Sequence, residues 1–530
     1  MASKKAPDLP IQLSSYTRRV LLKTILDRPD RGLGLTGKQV VIGGWVKTSK
    51  EEQRNSGAPP SPPSSPAEEA PAASKEQEEH VTHCKVILAR ISPLLHSFIR
   101  MFTNCSRPPP RREPLDTAVP AEKVPSVAYL VNDGSCVSSI QVVVKSSVAP
   151  INEVLTAGTS ILAEGVLKQP SNAGKHVIVL EVEKILHIGT VDLANYPLAK
   201  TRLPLEFLRS YSHLRPKTTT VASVTRIRNA LAYATHTFLP KPWFPSYKPG
   251  TSFKFGKVDF SEDYFSRQAY LSASAQLHIE SYACALGSVY AFGPAFRTKN
   301  SHSPRHLAEC WMVELGMAFA ELEDVMNCVE DYVKFLCKWI LQNCSNDIKL
   351  LAKRTDKTSM DCLRSVASST FERLTYTKAV ELLKEVTDKT FETKVDWGID
   401  LAEEHKRYLA DEVFKKPVII YDYPKEVKPF YVRVNDDGKT VAAMDLVLPQ
   451  VGAAVSGSQK EERIDAISTR IQESGLPQEM YGWYLDLRRH GSVKHVGFSL
   501  GFEQMVMFTT GLDDIRDAIP FPRSHAELTY

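Results

Sequence analysis

The segment from Phe292 to Glu314 constrains the chain most. It reads Phe-Gly-Pro-Ala-Phe-Arg-Thr-Lys-Asn-Ser-His-Ser-Pro-Arg-His-Leu-Ala-Glu-Cys-Trp-Met-Val-Glu. Val289 to Arg297 and Leu307 to Glu314 are rich in aromatic and β-branched residues, whereas Thr298 to His306 is polar and carries Pro304. The polar stretch is too long for a two-residue turn, so the pattern predicts two antiparallel strands joined by a mobile loop. Arg297 then ends the first strand and Arg305 the loop. Two planar guanidiniums so placed suit a polyphosphate and a carboxylate together. Taken alone, the segment reads equally well as a surface hairpin with solvated arginines.

At 530 residues the chain is long enough for two or three domains with sizeable cores. A net charge of +5 and a pI near 8.5 are compatible with an RNA partner without requiring one. The nine cysteines form no Cys-x-x-Cys pair and no zinc-like spacing, which predicts reduced thiols in a cytosolic protein. The N-terminus lacks a secretory apolar core and carries acidic residues early, so the cytoplasm is the expected compartment. The most apolar window, Val81 to Phe102, is interrupted by His83, Lys85, Arg90, Pro93, His96 and Arg100, which excludes a transmembrane helix there.

In chain order, residues 1–35 form an N-terminal extension with one amphipathic helix around Tyr16 to Asp27. Strand-like runs follow at Gln39 to Thr48, Ala128 to Val131, Ser139 to Val144, Ser160 to Leu167 and His176 to Leu186, with a short segment Asn152 to Leu155 after the third. That is the order of an OB-fold, a small β-barrel able to track single-stranded nucleic acid. The barrel region, 36–190, is interrupted by an insert at 50–125. Its part from Gln53 to Glu79 is rich in Pro, Ser, Ala and Glu, and is expected to be disordered.

Beyond a Pro-punctuated hinge, Thr218 to Phe238 predicts a helix with Val221, Val224, Ile227, Leu231 and Phe238 inward. Phe238 to Gly250 holds four prolines and cannot be a central strand. Tyr270 to Gln276 predicts a buried strand, Leu277 to Leu286 a helix closed by Gly287, and Ala320 to Cys344 a further helix. The whole suits an α+β arrangement, an antiparallel sheet flanked by helices.

The Phe296-Arg-Thr-Lys-Asn-Ser and Arg305-His-Leu-Ala-Glu pieces resemble motif 2 of the class II aminoacyl-tRNA synthetases, in the form used by the asparaginyl and aspartyl branch. Gly497 to Arg523 resembles motif 3 and the family's C-terminal ending, and Thr218 to Phe238 the motif 1 helix. Trp397-Gly-Ile-Asp-Leu, Tyr484-Leu-Asp-Leu-Arg-Arg and Val441-Ala-Ala-Met-Asp445 resemble the asparaginyl enzymes in particular. The likeness covers roughly Gln39 to Thr48 and Tyr129 to Arg523.

The resemblance implies an OB-fold anticodon-binding domain followed by a class II catalytic domain over 191–530. It implies ATP-dependent attachment of L-asparagine to tRNA(Asn) through an aminoacyl-adenylate, with Mg2+ as cofactor. It also implies a homodimer, weakened here because the sequence breaks where the family has its dimer strand. By the same resemblance Arg297 is catalytic, bridging the carboxylate and the α-phosphate. Lys299, Arg305, His306, Leu307, Gly501, Glu503 and Gln504 fall at ATP-binding positions, and Gln276, Ser456 and Lys460 join Arg297 at amino-acid positions. Asp445 and Ser456 fall near the metal, and Tyr129 is the nearest match to an aromatic that stacks on an anticodon base.

Several positions depart from the family pattern. Lys299 stands for a glutamate that accepts a hydrogen bond from adenine, which a lysine cannot do. Cys310 replaces the phenylalanine under adenine, Gly316 a pocket glutamate, Ala453 a metal-binding glutamate, and Gln504 an arginine on the γ-phosphate. Lys460 replaces an arginine that reads the side-chain amide, so a fork becomes a point charge. Two further readings therefore stand beside the ligase: a catalytically impaired paralogue that binds tRNA or a protein, and an aspartyl-type ligase.

Overall fold

The computed structural model describes residues 19–51, 126–149, 156–170, 176–192, 194, 196–198, 203–239, 246–247, 271–297, 303–355, 359–387, 389–490 and 493–525. The expected disorder of residues 53–79 and the short segment Asn152 to Leu155 lie outside this set.

Strands β1 (Gln39–Glu51), β2 (Ser126–Asn132), β3 (Ile140–Lys145), β4 (Ser160–Lys168) and β5 (Val179–Gly189) close a barrel in the order β1-β2-β3-β5-β4. Alternation drives it: Ile140, Val142 and Val144 face one way, and Ile161, Ala163 and Leu167 meet them in one core. β1 runs past Thr48, pairing Lys50 with Ala128 and Glu51 with Val127, so the first strand extends into the predicted insert.

Tyr129 corrects an expectation. It shares its face of β2 with Val127 and Val131, all three belong to the barrel core, and Tyr129 is only 3 % exposed. Strand parity is the reason: a one-residue offset moves a side chain to the opposite face. Ala128 and Leu130, on the other face, are not aromatic. Tyr129→Phe should therefore leave tRNA affinity unchanged in a filter-binding assay, whereas Tyr129→Ala should destabilise the barrel by about 3–5 kcal/mol in denaturant unfolding.

The second region carries an eight-stranded sheet in the order β6-β7-β8-β13-β12-β11-β10-β9. The strands are β6 (Ser246–Tyr247), β7 (Ser288–Phe296), β8 (Glu309–Ala318), β9 (Glu372–Thr375), β10 (Val418–Pro424), β11 (Thr440–Leu448), β12 (Gly452–Gln459) and β13 (His495–Gly501). Pairing is antiparallel from β7 to β10 and parallel only at the two edges. The proline-rich stretch after Phe238 supplies the short edge strand β6, where missing amide donors matter least.

Six helices position the site: α1 (Thr219–Phe238), α2 (Gln276–Leu286), α3 (Leu322–Asn343), α4 (Glu403–Tyr408), α5 (Gly482–Arg489) and α6 (Phe502–Thr510). α1 starts at Thr218, whose hydroxyl accepts from Val221 N, and buries Val221, Val224, Ile227 and Leu231 as its spacing predicts. α3 packs Val325, Val329, Tyr332, Val333, Leu336 and Ile340 against the sheet. α2 ends at Gly287, which takes φ +83°, a conformation that a side chain would disfavour.

The predicted strand from Tyr270 to Gln276 is not one over its described residues. Leu271 to Ala275 is irregular and Gln276 opens α2. Ser272 Oγ donates to Ser274 O, Gln276 N donates to Ser274 Oγ, and Ala275 N donates to Glu314. These local side-chain bonds replace a ladder.

Two features tie the parts together. Lys47 Nζ of β1 donates to Lys217 O at 2.6 Å, and Arg226 of α1 reaches both Gly134 O and Asp347. Arginines from the hinge and from α1 also clasp the chain near its C-terminal end. Arg209 pairs with Asp517 at 2.6 Å, Arg215 donates to Ile519 O and Pro520 O, and Arg228 to Ala518 O.

Candidate active site

The hairpin β7–β8 forms the centre of the site, pairing Phe296 with Glu309 and Ala291 with Glu314. Arg297 extends the ladder by donating its backbone N–H to Ala308 O at 2.9 Å. Its side chain stands at a cavity of about 810 Å³, lined also by Gln276, Arg305, Asp445, Gly501 and Gln504. Among the described residues the Arg297 guanidinium meets only the Met312 thioether, at 3.6 Å, and no carboxylate. An exposed guanidinium with so weak an acceptor is open to an anion in the cavity.

Arg305 is aimed by a bond from its guanidinium to Val451 O at 3.0 Å. Beside it, Ile515 N donates to Pro304 O and Ala308 N to Arg523 O, so the clasped segment supplies one wall of the cavity. His306 and Leu307 also line it, Leu307 as a buried apolar residue. Lys299 lies outside the described residues.

At another part of the wall, Gln276 is locked in place. Its Nε2 donates to Ser499 Oγ at 2.7 Å, and Ser499 Oγ donates to Glu314 at 2.9 Å. Gln276 Oε1 accepts from Lys460 Nζ. Lys460 is 2 % exposed and lies over the Tyr431 ring at 4.6 Å. Burial drives its ammonium down to about 8, against the pull of Glu280 and Glu314. Lys460 is not among the cavity-lining residues, and it reaches the cavity wall through its bond to Gln276.

Behind Lys460 is a buried cluster that sequence reading missed. Glu280 of α2 accepts from Arg488 at 2.8 Å and from Tyr484 Oη at 2.5 Å, both on α5, and lies 2.9 Å from His495 Nε2 on β13. Burial alone would raise the Glu280 carboxyl; the His495 bond and the Arg488, His495 and Lys460 charges outweigh it and leave the group at about 2. The available signal was a glutamate on the apolar side of α2 and a Tyr484/Arg488 pair four residues apart, which share one helix face.

Asp445 and Ser456 are opposite each other on β11 and β12, and Ser456 Oγ donates to Asp445 Oδ1 at 2.8 Å. The other carboxylate oxygen is 3.1 Å from Lys428 Nζ and 3.3 Å from Lys406 Nζ. Burial would raise the Asp445 carboxyl, but the Lys428 and Lys406 charges hold it well below the ordinary range. The expected metal position is thus crowded by cations. Its carboxylate is neutralised by two ammoniums, position 453 is alanine, and no group of three or more His, Cys, Asp or Glu among the described residues could hold a metal ion. These residues are a poor fit for Mg2+, which takes one or two free carboxylates beside waters and substrate phosphates, because the one carboxylate here is already paired with two ammoniums.

The remaining predicted residues divide by what their side chains touch. Glu503 also lines the cavity, but its buried carboxylate is 2.8 Å from Arg228 and accepts from Trp311 N at 2.8 Å, so it joins β8, α6 and α1. Gln504 lines the cavity and folds over Gly501, where a Cβ would come within 2.5 Å of its amide oxygen. Cys310 lines the cavity as a thiol pushed up to about 11 by burial. Gly316 faces α2: a Cβ there would meet Ile279 Cγ2 at 2.6 Å, so a glutamate at this position would require Ile279 to shift.

Residues 205–525 match the family model described as tRNA synthetases class II (D, K and N). The chain is 43 % identical to the cytoplasmic asparagine–tRNA ligase 2 of Arabidopsis thaliana over 97 % of its own length and 96 % of the relative's. It is 45 % identical to the asparagine–tRNA ligase of Protochlamydia amoebophila over 74 % of its length and 90 % of that protein's. Its fold superposes on the asparaginyl-tRNA synthetase of Pyrococcus horikoshii complexed with asparaginyl-adenylate with a TM-score of 0.72 at 26 % identity, covering 96 % of this chain and 99 % of that one. A barrel joined to this mixed sheet, the motif 2 hairpin at the centre of its cavity and relatives matched over nearly their whole length lead to one conclusion: the chain belongs to the class II tRNA synthetases, in the asparaginyl branch of that family.

Proposed function

We propose that the protein is an asparagine–tRNA ligase that activates L-asparagine with ATP as an aminoacyl-adenylate and transfers the acyl group to tRNA(Asn) in the cytoplasm. The observation that carries this reading is the Arg297 guanidinium, exposed in the cavity without a carboxylate partner among the described residues. Adenylate formation needs the amino-acid carboxylate aligned with the α-phosphate and the growing negative charge neutralised, and a guanidinium does both. Gln276, fixed by Lys460 and Ser499, presents a defined amide to the amino acid. Arg305, anchored on Val451 O, offers its remaining N–H donors to the outer phosphates.

A second reading, a tRNA-binding protein with impaired activation, is favoured by Gln504 and Ala453 in the cavity wall, neither of which brings charge. Asparagine-dependent exchange of pyrophosphate into ATP separates the two. Turnover that requires asparagine supports the ligase; its absence together with tRNA binding that weakens as salt rises supports the second reading. Self-association as a homodimer is supported by exposed apolar residues beside each other: Leu286 is 58 % and Phe319 82 % exposed, on either side of the Ala318 N to Gly287 O bond. Sedimentation of Phe319→Asp should show a shift toward monomer. No helix among the described residues is long and apolar enough to cross a membrane.

A further inference from the structure

Resting on the ligase reading, we infer that this cavity neutralises nucleotide phosphate with lysine ammonium groups at Asp445, in place of a divalent cation held by that carboxylate. Lys428 is the group that faces the ligand. It lines the cavity, and its Nζ is held from two sides, 3.1 Å from Asp445 Oδ2 and 3.8 Å from the centre of the Tyr423 ring. Lys406, buried on α4, supports it from behind at 3.3 Å from the same oxygen. Glu403 and Asp400 also lie within charge range of Lys406, so it is Lys428 that is left to act toward the cavity.

A divalent ion at Asp445 would face two ammoniums at once, with roughly four times the repulsion of a single pair of unit charges at that distance. It would also find few oxygens to bind. Asp445 Oδ1 already accepts from Ser456, and the neighbouring carboxylates are engaged: Glu503 with Arg228 and Trp311 N, Glu314 with Ser274, Ala275 N and Ser499, and Glu403 with Ala453 N at 3.3 Å. Phosphate oxygens meet the opposite situation. A pre-positioned ammonium lining the same cavity as Arg305 is a ready counter-charge.

Calorimetry on the full chain with ATP in excess EDTA, and again with ATP in excess Mg2+, tests this directly. ATP should bind at least as tightly in EDTA as in Mg2+, and Lys428→Met should weaken binding in EDTA at least tenfold. Binding tightened tenfold by Mg2+, or unchanged in Lys428→Met, overturns the inference. A second arm needs no nucleotide: electron paramagnetic resonance of Mn2+ added to the protein should show no bound ion that Asp445→Asn releases. Mn2+ bound by the unaltered chain and lost in Asp445→Asn overturns the inference, and Ser456→Ala serves the same comparison if Asp445→Asn fails to fold. Absence of ATP binding in both buffers overturns the ligase reading and the phosphate role of Lys428 with it; the Mn2+ arm then still decides whether Asp445 is closed to metal.

Discussion

Arg297→Ala should lower asparagine-dependent pyrophosphate exchange by roughly 10²–10³-fold, equivalent to about 3–4 kcal/mol of transition-state stabilisation. Among the described residues the side chain makes no hydrogen bond or ion pair beyond the Met312 thioether, so thermal unfolding should stay within the small range expected for a surface substitution. Arg297→Lys should recover only part of the rate, because an ammonium is a point charge and cannot grip carboxylate and phosphate as a fork. The measurement is steady-state exchange for the three proteins beside their melting curves. A loss of exchange matched by an equal loss of stability would assign Arg297 to the hairpin instead of the reaction.

Arg488→Met acts on stability instead. Removing this guanidinium leaves the Glu280 carboxylate, 2 % exposed, without its arginine partner, and breaking a buried pair from one side typically costs about 3–5 kcal/mol. Urea unfolding should show that loss, and adding Glu280→Gln should recover much of it by removing the uncompensated charge. The same cluster sets a pH dependence. The Glu280 carboxyl sits at about 2 in the fold against an ordinary value of 4.5, so the folded chain binds its proton less readily than the unfolded one. Its contribution, on the order of 3 kcal/mol, is present above about pH 4.5 and is lost as pH falls toward 2. Glu280→Gln should flatten that part of the acid-unfolding curve.

Much of this architecture is legible in the sequence because it rests on short-range pattern. Alternating apolar residues place β3 and β4, and the aromatic run before Arg297 and the apolar run after Leu307 place β7 and β8 to within a few residues. Tyr129 shows where such reading fails: a single step of parity decides whether a ring meets RNA or the core, and only the strand register fixes it. The segment before Gln276 fails for another reason. Its apolar look suggests a strand, but Ser272, Ser274 and the distant Glu314 take up its backbone groups. The state of Asp445 was hidden because Lys406 and Lys428 lie on separate elements and converge only when α4 packs beside β12. The Glu280 cluster likewise gathers residues from α2, α5 and β13, none of them adjacent in sequence.

The arginine clasp fixes an order of events during synthesis. Arg209 must wait for Asp517, 308 positions later, and Ala308 must wait for Arg523 before the cavity gains that wall. Contacts so distant along the chain carry the largest closure entropy and form late, whereas the barrel has all its strands by Gly189 and can fold as the chain emerges. A nascent chain therefore carries a finished barrel well before it has a finished activation cavity. A chain released short of Arg523 would keep the barrel and lack that part of the cavity wall.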